Sequence, residues 1–226
     1  MRLLSWITHE VKLQMINGLY GVYVIVILVY IFLLGYVPDK YVDLASTFII
    51  FSDPTFIGLI FVGAFILLER RSGVIKGIGI TPLGARGYVL GRVISMQIIA
   101  VATSLAIAIA YKGFKFNIVL LIITAGISSM VFTMIGIIAS AYSMSMNQYL
   151  LIISLIGIVL ILPIINFIGV ELKVLNIIPT YNVVTLIWQA ITNANVETIN
   201  IIVIIAWVCG LMIITEKVVE KKLFRG

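Results

Sequence analysis

Charge is scarce in this chain: only 11% of its 226 residues are Asp, Glu, Lys or Arg, against 62% hydrophobic. A soluble domain is about a quarter charged and about half apolar, so the side chains needed to cover a water-facing surface are missing. Cysteine occurs once, at Cys209 inside an apolar run, and histidine once, at His9. These counts exclude a disulfide framework and a metal cage of thiolates or imidazoles. No G-x-x-x-x-G-K-[ST] loop is present, so nothing here can cradle nucleotide phosphates. Gly73, Gly77 and Gly79 come nearest but lack the Lys-Ser/Thr pair and the preceding strand. There is no H-E-x-x-H motif, and no paired carboxylates share a helix face within an apolar run. The chain is therefore expected to hold no metal or cofactor and to carry out no catalysis itself. The short alternating segments of a membrane β-barrel are also absent.

What is present is a series of long apolar runs, and about 20 such residues cross the hydrocarbon as a helix. The pattern predicts an all-α membrane protein: an N-terminal interfacial amphipathic helix, six transmembrane helices, and re-entrant outer helices before the last span. Residues 1–17 place Leu4, Ile7, Val11 and Met15 at helical spacing, with Ser5, His9 and Lys12 on another face and Trp6 at interfacial depth. His9, Glu10 and Lys12 stand where a secretory signal would have its apolar core. Spans are expected at 18–37, 54–68, 89–111, 118–142, 149–168 and 199–215, with 44–51 a short re-entrant or interfacial piece. The whole chain, 1–226, reads as one transmembrane domain, with the charged segment 69–88 as its long loop and 170–198 as an outer re-entrant region. Within that region Val183, Val184, Ile187 and Ile191 form an apolar face after Pro179, with Asn182, Thr185 and Gln189 opposite.

An even number of spans puts both termini on one side, and the basic residues indicate which. Eleven of the fifteen Lys and Arg lie in the N-terminus, the 69–92 segment and the tail: Arg2, Lys12, Arg70, Arg71, Lys76, Arg86, Arg92, Lys217, Lys221, Lys222 and Arg225. Lys40, Lys112, Lys115 and Lys173 lie in the opposite loops. Lys and Arg gather on the cytoplasmic side, so both termini are expected inside a prokaryotic plasma membrane. This basic balance, spread over loops without interleaved aromatics, implies lipid headgroups as partners and excludes nucleic acid.

Candidate functional residues within the spans are few. Asp53, before Pro54, is either a helix cap or a buried proton or substrate site. Ala125, Ser129, Thr133, Gly136 and Ser140 step along the fourth span, and Ala100, Ser104 and Ala108 along the third; such small residues let helices pack closely or line a substrate path. Gln97, Gln148 and Asn166 either line a cavity or bond a neighbouring helix. Met130, Met134, Met144 and Met146 offer adaptable apolar surface. Arg92, near a helix end, is expected to snorkel to the interface. A carrier driven by a coupling ion normally needs ionisable groups at mid-depth, and the span interiors show essentially none. Any active transport would then draw its energy from another chain.

The run from Phe51 to Ser95 resembles the second and third spans of type-2 ABC export permeases. Its markers are Glu69-Arg70-Arg71-Ser72-Gly73 closing one span, Thr81-Pro82-Leu83 at a turn, and Tyr88-Val89-Leu90-Gly91-Arg92 opening the next. Ser52-Asp53-Pro54 together with Leu67-Leu68-Glu69 is similar to the fluoroquinolone-export-like branch. The acidic residue and the glycine match the family pattern, whereas their spacing and its threonine do not.

The resemblance implies a permease subunit of an ATP-binding-cassette exporter that moves an amphiphilic or apolar substrate such as a drug, lipid or peptide. ATP and Mg would be bound by a separate ABC ATPase subunit, and a second permease subunit, identical or related, would complete the translocation path. It also implies that the segment after the second span is a coupling helix seated on the ATPase. The residues carried into that role are Glu69, Arg70, Arg71, Gly73, Val74, Ile75, Lys76, Ile78, Pro82 and Arg86. Val74, Ile75, Ile78 and Ile80 would form its apolar contact, so Ile78→Asp is expected to abolish ATPase association. The rival readings are an ion-coupled carrier and a non-transporting scaffold.

Overall fold

The computed structural model describes residues 2–52, 56–167 and 173–225. Among these the regular structure is helical: α1 (Arg2–Ile16), α2 (Leu19–Leu34), α3 (Asp39–Ile50), α4 (Ile57–Arg71), α5 (Val74–Gly79), α6 (Gly84–Lys112), α7 (Ile118–Ala141), α8 (Met146–Ile161), α9 (Ile164–Phe167), α10 (Pro179–Thr192) and α11 (Thr198–Val218). A 3-10 turn (Lys173–Ile177) precedes α10, and a π-helical turn (Val219–Phe224) continues α11. Among the described residues, α6, α7 and α11 with its π turn are long and apolar enough to cross a membrane; α8 is a shorter apolar helix. Asp53 and Pro54, and with them both readings of Asp53, lie outside the described residues.

The 15 residues of α1 reach about 22 Å at 1.5 Å each, no less than the equally short α4, so the polar residues of α1 rather than its length set it apart. The chain turns sharply after it. The axes of α1 and α2 differ by 65°, and Gly18 between them takes φ +76°, a left-handed conformation that a side chain would strain. The expected span at 149–168 is interrupted: α8 stops at Ile161 and α9 begins at Ile164. Pro163 lies in the break, where its missing N–H and its ring end a helix.

Helix α7 is the centre of the bundle, packed by α4, α6, α10 and α11. Its most apolar 18-residue stretch is 61% buried, against 22% for the last helix, so α11 keeps a broad apolar face turned outward. The small-residue stripe of α7 is buried throughout, and it explains how closely α4 approaches. A Cβ on Gly136 would lie 3.0 Å from the carbonyl oxygens of Gly58 and Leu59, and one on Gly58 would overlap the Thr133 hydroxyl. Small residues substitute here for the hydrophobic drive that lipid removes. Gly136→Leu should therefore force the two helices apart and destabilise the bundle by about 1–3 kcal/mol. A lowered thermal midpoint in detergent would show it, and an unchanged midpoint would contradict this crossing.

Helix α10 departs from the expected polar and apolar faces. Val183, Val184, Ile187 and Ile191 are buried, but so are Asn182 and Gln189, because α10 is wedged among α3, α7 and α11. The Asn182 amide donates to the carbonyls of Asn176 and Ile178 at 2.8 and 3.0 Å. The Trp207 indole of α11 donates to the Ile177 carbonyl at 2.8 Å, pinning this region to the last helix.

Contacts divide the bundle into two ends. At one, Lys112 pairs with Asp43 at 2.7 Å, the Asn117 N–H donates to the Ala190 carbonyl at 2.8 Å, and the Tyr111 hydroxyl donates to the Ile31 carbonyl. At the other, α1, the α4–α5 joint, the start of α6 and the C-terminal turn converge. Both described termini lie at that second end.

Candidate functional site

The second end contains two features built from neighbouring residues: a short helix facing outward and an ion cluster behind it. Within the segment 69–88 the chain forms a short helix between two long ones. Helix α4 ends at Arg71, Gly73 reverses the chain at φ +74°, α5 makes six residues, and α6 already starts at Gly84, before the expected 89. At 29 residues, α6 is about 44 Å long, longer than the ~30 Å hydrocarbon core.

The sequence-derived coupling residues divide between two sides of this turn. Ile75 is buried and Ile78 is only 8% exposed, whereas Val74 and Ile80 are 48% and 90% exposed. Of the four apolar side chains expected on one contact surface, only Val74 and Ile80 face outward. A six-residue helix has one inward side, and Ile75 and Ile78, three apart, occupy it. They face the C-terminal turn that packs on α5; its Val219 and Leu223 are buried, and the Phe224 ring closes over Gly79, where a Cβ would meet it at 3.0 Å. Gly73, Lys76 and Pro82 are exposed. Exposed Arg70 donates to the Ser143 carbonyl at 3.1 Å, linking the α4 end to the α7–α8 turn, and exposed Arg71 flanks it. Arg86 pairs with Glu216 of α11 at 3.5 Å, a largely solvated pair of small energetic weight.

Behind α5 lies Arg92, and here the sequence expectation is reversed. Arg92 does not snorkel: its side chain is fully buried, with Glu10 of α1 at 2.9 Å on one side and Glu69 of α4 on the other. It sits in the third turn of α6, on the face that receives both α1 and α4, which bury it. Glu69, the last acidic group before the α5 turn, also accepts a hydrogen bond from the buried Tyr88 hydroxyl at 3.0 Å. Gln14 of α1 donates to Ser95 at 2.8 Å one turn further on. Gly91 lets the Trp6 ring come close; an added Cβ would lie 2.0 Å from it. The Trp6 and Tyr88 rings are 5.8 Å apart, and Phe224 meets Tyr88 edge-on at 5.7 Å.

Two acids therefore share one guanidinium in a largely buried site. Burial pushes the Glu10 carboxyl up from its ordinary value of 4.5 to about 7; Arg92 opposes the shift and Glu69 adds to it. From sequence alone, Glu10 is simply one polar residue of an interfacial helix. A signal was present, since Trp6, Glu10 and Gln14 recur at four-residue spacing on one face, but nothing in the sequence says what that face meets. Cys209 is exposed, and among the described residues no three His, Cys, Asp or Glu side chains gather as a metal-binding group.

A family model for fluoroquinolones export permease proteins matches residues 1–225. The chain belongs to that family. No curated protein and no solved structure matches the permease. It is thus a membrane protein whose family exports, and the end at which α1, α4, α5, α6 and the tail meet holds a buried ion cluster.

Proposed function

We propose that the permease is the membrane-spanning subunit of an ATP-driven exporter, with the α5 turn as the surface that receives the motion of a separate ABC ATPase. The observation that carries this reading is the α5 turn itself. It rests on the C-terminal turn and on α6, it presents Val74, Lys76 and Ile80 outward, and it is connected through Glu69 to a buried ion cluster. A displacement of α5 has rigid elements to act on. Arg70 and Arg71 beside it suit carboxylates on a partner.

In this reading α2, α4, α6, α7, α8 with α9, and α11 are the six spans, α1 lies in the inner interface, and α10 dips into the outer one. Both termini are cytoplasmic in a prokaryotic plasma membrane, as the basic residues at the α5 end support. Two permease subunits enclose the path, and the ATPase pair binds ATP and Mg. The substrate is amphiphilic or apolar, in keeping with walls that offer few fixed charges.

Inside-out vesicles of stated lipid composition, carrying the permease with its candidate ATPase, test this. ATP should drive a fluoroquinolone or a lipophilic dye into the lumen, and uptake should vanish without either chain. ATP-independent uptake would refute it. One observation favours a second reading, an ion-coupled carrier: the buried Glu10–Arg92–Glu69 cluster is ionisable chemistry inside the bundle. Uptake driven by a proton gradient alone would select that reading.

A further inference from the structure

We infer that the Glu10–Arg92–Glu69 cluster is a binding site for a single proton, held on Glu10, and that this proton sets how firmly the end of α4 is tied to α6. The inference stands under either reading of the transport mechanism. Its basis is a mismatch of charge and of hydrogen bonds. One guanidinium faces two carboxylates, all with little or no water: the side chains of Arg92 and Glu10 are 0% exposed and that of Glu69 is 13% exposed. With both acids ionised the site carries an uncompensated negative charge in a low dielectric, which is costly. One proton makes it neutral.

The hydrogen bonds say which acid takes it. Glu69 accepts from both Arg92 and Tyr88, so its carboxylate form is served. Glu10 touches Arg92 at 2.9 Å, but neither of its oxygens is aligned to accept a hydrogen bond, and Arg92 Nε is also unpartnered. A carboxylate without donors is the better proton acceptor. The charges acting on Glu10 are Arg92 from α6 and Glu69 from α4. Tyr88 of α6 is the further titratable group beside them, and α2, which also packs on α1, carries tyrosines but no charged residue. The step is a protonation: an O–H bond forms on Glu10 as a hydronium or buffer acid releases its proton, with the partly exposed Glu69 as the edge facing water.

The consequence follows from sharing. Protonated Glu10 leaves Arg92 to Glu69, clamping the last turn of α4, and so the α5 joint, onto α6. Ionised Glu10 competes for the same guanidinium and draws α1 and α4 against each other. The folded state holds this proton more tightly than an unfolded chain, in which the group titrates near 4.5. Stability should therefore fall as pH rises through the window from about 4.5 to about 7.

Infrared titration of the purified full-length permease tests the site directly, followed by its thermal midpoint across the same pH range. The carbonyl-stretch band of a protonated buried carboxyl should disappear around pH 7 in the wild type. It should be absent in Glu10→Gln, whose midpoint should no longer fall through that window. Glu69→Gln should keep the band but move its loss to lower pH, since Arg92 then serves Glu10 alone. No band in the wild type, a band surviving in Glu10→Gln, or one lost only in Glu69→Gln would overturn the assignment.

Discussion

Arg92→Met should cost the permease most of its folded stability, the largest effect expected from any single substitution. The change removes one guanidinium and leaves Glu10 and Glu69 buried without a counter-charge. Breaking a buried pair from one side costs about 3–5 kcal/mol, because the remaining charge loses its counter-ion in a largely desolvated place. A domain has only about 5–15 kcal/mol in all. The variant should insert but yield little monodisperse protein in detergent, with a sharply lowered thermal midpoint. Arg92→Lys should fall between, since one ammonium lacks the planar fork that serves two carboxylates at once. The triple variant Glu10→Gln, Arg92→Met, Glu69→Gln should recover much of the loss, because the same volume is then filled without charge. An Arg92→Met protein as stable as wild type would show that the three side chains do not meet as described.

That cluster also shows where reading the sequence stops. Helix existence was legible because apolar runs in lipid have one solution: every backbone N–H and C=O must be satisfied within the segment. The small residues of α7 were legible as a packing seam, since four-residue spacing dictates which side chains share a face. The pairing of Arg92 was not. Glu10, Glu69 and Arg92 are 59 and 23 residues apart in sequence, each borders an apolar run, and charges beside such runs usually reach water. Only the packing of α1 and α4 against the start of α6 encloses them. The α5 turn was legible as a unit but not in orientation. Val74, Ile75, Ile78 and Ile80 are equally apolar, and the C-terminal turn that covers two of them comes from the far end of the chain.

That orientation separates two substitutions which the sequence alone treats as equivalent. Ile80→Asp places a carboxylate on a side chain already 90% exposed, so the permease should fold normally, with stability within about 0.5 kcal/mol of wild type. If α5 docks on an ATPase, the same change removes an apolar anchor from the contact. Losing such an anchor costs about 2 kcal/mol or more, which is a loss of affinity of about thirtyfold or more. Ile78→Asp acts on the opposite side. It sets a charge against the C-terminal turn and should unseat that turn and lower the thermal midpoint, with any loss of ATPase binding following from the damage. Measuring both quantities on both variants separates the cases. A folded Ile80→Asp permease that releases the ATPase identifies the outward side of α5 as the docking surface. Full retention of the ATPase by Ile80→Asp, and by Val74→Asp as well, would mean that α5 is an internal strut and that any ATPase grips the permease elsewhere.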